Sequence, residues 1–127
     1  MAQYLLDTTT IIDHLRGDKK INSYLIEIGN RGDIVGCCCI NVTETYTGMK
    51  DKEKEKTDKF IESLYYFGVT KEIAKLAGKL KQKYVKKGKT IATTDVIIAA
   101  TAIAYGLILI TKNVKYYPFT ELVIKEI

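Results

Sequence analysis

Three carboxylates stand apart from the other acids of this 127-residue chain. Asp7 ends the apolar run YLL, Glu44 sits in NVTETYTG just after a second apolar stretch, and Asp95 opens TTDVIIAATAIAYG, the most apolar segment. Most of the remaining acids fall in loops or on charged faces. Carboxylates at the carboxyl ends of parallel strands and at helix mouths converge on one edge of a sheet, which is where open α/β folds place their chemistry. Three such groups without a counter-ion repel one another and raise their proton affinity. A hard divalent cation relieves that repulsion, prefers oxygen ligands and keeps several waters. The reaction that uses such a cluster is metal-assisted hydrolysis of a phosphodiester.

Each acid also has an ordinary use. Asp7 can cap the helix that follows it, Glu44 can be a solvated side chain, and Asp95 can be a first-turn acid favoured by the helix dipole. Other chemistries find little support. There is one histidine, His14, no Walker-type glycine loop, and no Ser/His/Asp spacing to argue from. The three cysteines, Cys37, Cys38 and Cys39, are adjacent and odd in number, so they form no disulfide framework. They lack the spaced pairs of a zinc site, and they are expected as small hydrophobes in a core strand.

The elements that must position the acids follow from apolar periodicity. Gln3–Leu6 reads as a strand and Thr8–Leu15 as a short helix. Lys19–Gly29, capped by Asp18, repeats Ile21, Leu25 and Ile28 at helical spacing. Ile34–Ile40 is expected as the second strand, with Asn41 capping a helix from Val42 to about Met49. At Gly48 a side chain is expected to crowd a neighbour or the turn. Lys50–Lys59 continues as an exposed helical segment carried by Phe60, Ile61, Leu64 and Tyr65. Phe67–Val69 is expected as a short strand, and Thr70 caps a helix to about Lys87. Thr93 or Thr94 caps the helix that Gly106 closes, LILI at 107–110 is a buried strand, 114–120 is a loop, and Leu122–Ile124 is a last strand. This order predicts one α/β domain over residues 1–127, a three-layer α/β/α sandwich with a mainly parallel central sheet.

Charge is uneven. The chain carries +5, yet residues 71–89 hold eight lysines and one acid. A stripe of that kind suits a phosphate backbone, or is a solvated helix face. With no leader-like start and no apolar run long enough to span a bilayer, the chain is expected to be cytoplasmic and free of the membrane.

In YLLDTTTIIDHL, INVTETYTG and TTDVIIAATAIAYGLILITKN the chain resembles the PIN domain family, and within it the VapC-like toxins of prokaryotic toxin–antitoxin pairs, over essentially its whole length. The resemblance implies a PIN-like α/β/α fold and a ribonuclease activity dependent on Mg²⁺ or Mn²⁺. It also implies dimerisation and inhibition by a VapB-type antitoxin. Asp7, Glu44 and Asp95 would be the catalytic and metal-holding acids. Thr9, Thr111 and Asn113 would orient carboxylates or a water. Lys79, Lys83, Lys86 and Lys87 would track RNA. The chain departs from the family pattern in two respects. Thr9 stands where the family often has Asn, and Asn113 and Tyr116 stand where a fourth acid is common.

Two further readings remain at this stage. The chain could be a PIN-fold RNA-binding module with weak or no catalysis, its fourth acid lost. A phosphatase of the haloacid dehalogenase type also begins with Asp after the first strand. That chemistry needs a second Asp two residues on, where this chain has Thr9.

Overall fold

The computed structural model describes residues 1–127. In chain order the strands are β1 (Gln3–Leu6), β2 (Ile34–Cys37), β3 (Tyr65–Tyr66), β4 (Ile108–Thr111) and β5 (Val123–Glu126). The helices are α1 (Thr8–Leu15), α2 (Lys19–Asn30), α3 (Cys39–Thr47), α4 (Lys54–Ser63), α5 (Lys71–Lys86) and α6 (Thr93–Tyr105). Two 3₁₀ turns cover Asp51–Glu53 and Val114–Tyr116.

The sheet runs β3-β2-β1-β4-β5, and every pairing is parallel. β1 is therefore central, with Tyr4 opposite Val35 on one side and Ile108 on the other. Alternation along the strands divides the core between two faces. Leu5 and Leu109 pack with the α5–α6 face, alongside Ile73, Leu80, Ile98 and Ala99. Tyr4, Leu6 and Ile110 pack on the other face with Ile11 and Ile28, flanked by Leu25 and Phe60. Strands buried on both faces read as continuous apolar runs, which is why YLL and LILI are legible as strands. The PIN-like three-layer α/β/α architecture expected from the sequence is present. His14, the one histidine, lies against Phe60 and bonds Asn22, tying α1 to α2 and α4.

Several boundaries differ from the sequence reading. β2 stops at Cys37, so Cys38–Ile40 is not strand. Cys38 is the N-cap of α3, and Cys39 and Ile40 form its first turn. The cysteine run is apolar, but it spans a strand end, a cap and a helix start. Asn41 is not the cap residue; its Oδ1 accepts from the Cys38 amide three residues back. The third strand is Tyr65–Tyr66 rather than Phe67–Val69, and α4 ends at Ser63. α6 begins after Ala92, with no side-chain cap from Thr93 or Thr94. Gly106 does end α6 in the left-handed region, at φ 69°. Gly48 is not required sterically, because a Cβ there would meet only the Glu44 carbonyl at 3.9 Å.

The glycine that matters is Gly36 in β2. A Cβ there would drive into the Phe67 ring and lie 2.6 Å from the Tyr65 carbonyl oxygen. The Phe67 ring lies over the strand where any side chain would stand. Gly36→Ala should overpack this contact at a cost of about 1–3 kcal/mol. The expected result is a thermal midpoint lower by roughly 4–10 °C, measured by circular dichroism.

Candidate active site

Asp7 follows β1 directly and is the N-cap of α1. Only 3% of it is exposed. Its carboxylate is held from two elements: Oδ1 accepts from the Thr10 amide at 2.9 Å and the Thr10 hydroxyl at 2.6 Å, and Oδ2 accepts from the Thr111 hydroxyl at 2.6 Å. Capping and membership of the acidic cluster are thus compatible in one side chain. Thr111, the last residue of β4, lies beside Asp7 because β1 and β4 are neighbours. Thr111 Oγ1 also accepts from the Asn113 amide at 2.9 Å, which orients the chain as it leaves the sheet.

Glu44 lies on α3, half-buried. Its Oε1 accepts from the Thr8 hydroxyl at 2.6 Å. Thr8 in turn accepts from Asn41 Nδ2 at 3.3 Å, and Asn41 is fully buried. Asp95 sits in the first turn of α6. Burial is the main cause that raises its pKa; the nearby charges of Glu44 and Asp7 add to it, and the Tyr117 phenol partly offsets it. Tyr117 is buried and its phenol is pushed up too, first by burial and then by Asp7, Asp95 and Glu44. One phenol and one carboxylate therefore both feel the same converging acids.

The three acids share a cleft of about 360 Å³, lined also by Thr8, Thr9, Asn113, Tyr116 and Tyr117. All its charged donors are carboxylate oxygens, which suits a hard divalent cation. Mutual repulsion at Asp95 is what such a cation would reverse. The carboxylates of Asp7, Glu44 and Asp95 share the cleft without closing into a ready-made ligand cage.

The structure thus brings Asp7, Glu44, Asp95, Thr9 and Asn113 to one cleft, with Thr111 behind Asp7. Thr9 lines the cleft, but its neighbours Thr8 and Thr10 make the hydrogen bonds to the acids. The sequence does not single out Thr8, Thr10 or Tyr117, and it marks Asn41 only as a helix cap. Of the first three, Thr10 alone has a signal, its spacing of three from a capping aspartate. Lys79, Lys83, Lys86 and Lys87 are exposed on α5 and do not line the cleft. Lys83 is paired with Glu121 at 2.8 Å, and Lys87 lies over the Tyr84 ring. Lys81 donates to the Thr93 hydroxyl at the start of α6. Asp13 is ion-paired with Lys112. No helix is long and apolar enough to cross a membrane.

Fold and site define an α/β protein with an acidic cleft at the carboxyl edge of a parallel sheet. The PIN domain family matches residues 4–120, and the chain belongs to that family. Within it the chain is VapC-like. It is 32% identical over 114 residues to Ribonuclease VapC19 of Mycobacterium tuberculosis, spanning 90% of this chain and 91% of that protein. It is 29% identical over 117 residues to Ribonuclease VapC10 of the same organism, spanning 92% and 87%. Its fold is shared with a crystal structure of VapBC2 from Rickettsia felis bound to promoter DNA, at a TM-score of 0.87, 20% identity and 98% coverage of both chains.

Two outcomes are expected of these residues. Thr111→Val leaves Asp7 Oδ2 and the Asn113 amide without their partner, and should cost about 1.5–3 kcal/mol, read as a lower urea midpoint with an unchanged slope. Asp95 has a folded pKa above its unfolded value, so the native state binds more protons and this residue lowers stability as pH rises past that range. Metal-free Asp95→Asn should therefore melt a few degrees above the parent at neutral pH. The gap should close below about pH 4, where both side chains are neutral.

Proposed function

We propose that this protein is a divalent-metal-dependent endoribonuclease and the toxin of a toxin–antitoxin pair, with residues 1–127 forming one catalytic domain. The observation that carries the reading is the single cleft shared by Asp7, Glu44 and Asp95, in a chain whose relatives are named Ribonuclease VapC. Asp7, Glu44 and Asp95 would hold Mg²⁺ or Mn²⁺ through oxygen. When bound, the ion supplies an activated water and stabilises charge on the phosphate.

The chain's own residues do the rest. Thr10 and Thr111 keep the Asp7 carboxylate facing the cleft, and Thr8 does so for Glu44. Tyr117, buried at the cleft, donates its phenol to the Asp95 carboxylate. Thr9 and Asn113 line the cleft where they can orient a water or a phosphate oxygen. The exposed α5 lysines Lys79, Lys86 and Lys87, with Lys83 once freed from Glu121, attract the rest of the RNA. The structural neighbours are VapBC complexes, which supports a VapB-type antitoxin as partner. A homodimer and a cytoplasmic site of action complete the reading.

A binding module without efficient cleavage is the second reading. It is favoured by Asn113 and Tyr116, which line the cleft as neutral groups and leave only three acids there.

Cleavage of mixed RNA by the purified protein decides between them, with Mg²⁺, Mn²⁺ or EDTA and with Asp7→Asn and Asp95→Asn alongside. Cutting that needs the metal and falls at least a hundredfold in both variants is expected, on the order of the loss when a group that stabilises transition-state charge is removed. RNA binding without cutting in any arm would establish the second reading. Full activity in either variant would reject the site.

A further inference from the structure

Tyr116 and Tyr117 are adjacent yet opposite in environment. Both line the acidic cleft, but Tyr117 is 4% exposed and packs in the core, whereas Tyr116 is 52% exposed. Such a ring, left half out of the core at the wall of a charged cleft, keeps about half of its area open to a ligand. Its backbone is nonetheless fixed. The Tyr116 amide donates to the Asn113 carbonyl at 3.0 Å and the Tyr117 amide to the Val114 carbonyl at 2.9 Å, closing the 3₁₀ turn. The Asn113 amide donates to Thr111 Oγ1, whose hydroxyl donates to Asp7. A short chain of hydrogen bonds therefore ties the turn that carries the ring to the carboxylate cluster. Lys115 Nζ lies 5.3 Å from the ring centroid and brings a positive charge beside the ring.

We infer that Tyr116 is a stacking platform for one unpaired base of a single-stranded RNA, beside the phosphate held at the three acids. The inference rests on the nuclease reading and specifies its substrate: the RNA must present a base free to leave its neighbours. The cleft favours such a contact. Its carboxylates repel phosphate where no cation offsets them, and a neutral face beside them binds without that repulsion. An aromatic ring offers that face to any base, and the adjoining lysine offers the charge that a phosphate needs. A carboxylate at residue 116 could do neither. The turn's attachment to Asp7 through Thr111 sets the distance between the stacked base and the reacting phosphate, which makes Tyr116 a determinant of where the strand is cut.

The test uses short single-stranded RNAs carrying 2-aminopurine at successive positions, with Mg²⁺ and the Asp95→Asn protein so that the probe is not consumed. Stacking on Tyr116 should quench the fluorescence at one position. Tyr116→Ala should abolish that quench and weaken binding about tenfold, while leaving the slope of affinity against salt unchanged. Tyr116→Phe, which keeps the ring and removes the hydroxyl, should rescue both. The thermal midpoints of the variants establish that they fold. Binding by the parent with an unchanged affinity and quench in Tyr116→Ala overturns this inference alone, and assigns the exposed ring to contact with a protein. Failure of parent and variant alike to bind RNA overturns it together with the nuclease reading.

Discussion

The structure depends on one buried carboxylate. Asp7 is almost wholly removed from water, and a carboxylate there is tolerated only if its oxygens are occupied by donors. Those donors come from the start of α1 and the end of β4. Asp7 also donates its amide to the Ile110 carbonyl, and the Thr10 hydroxyl lies 3.2 Å from the same oxygen. Central strand, first helix and fourth strand are therefore joined at one residue. The need to satisfy Asp7 sets the register at the carboxyl edge of the sheet, and that edge is where Glu44 and Asp95 arrive.

The second consequence is electrostatic. Asp7 is fully donated to, Glu44 is held by a single threonine, and Asp95 has only the Tyr117 phenol to moderate its neighbours. Asp95 is held in its protonated form more than a free carboxyl, by burial first and then by the charges of Glu44 and Asp7. The three carboxylates thus differ in support before any ligand enters. The asymmetry arises from which elements surround each side chain, since all three are carboxylates.

Much of this was legible in the sequence. Asp7, Glu44 and Asp95 could be picked out because each follows an apolar run or opens one, and such runs mark buried parallel strands and their covering helices. The cysteine run was misread for the same reason: apolar character continues through Cys37, Cys38 and Cys39 while the backbone passes from strand to cap to helix. Hydroxyl partners were the least legible. Threonines 8, 9 and 10 are identical in type and successive in a helix, so they point about 100° apart. Thr10 meets Asp7 through the local cap three residues on, but Thr8 meets Glu44 only because α3 lies beside α1, and no local pattern encodes that. The brevity of β3 was likewise hidden, since Phe67 looks like a strand residue and instead closes over Gly36.

The strand order has a temporal meaning. A chain made from its N-terminus exposes β1 first, but β1 pairs on one side with β4, and Asp7 meets Thr111 across 104 positions of sequence. Until β4 has left the ribosome, the central strand lacks a neighbour and the buried carboxylate lacks one of its donors. Asp95 likewise enters only with the helix just before β4. The acidic cleft is therefore a late product of synthesis: a nascent chain that ends with the third strand at Tyr66 has Asp7 and Glu44 but neither Asp95 nor Thr111.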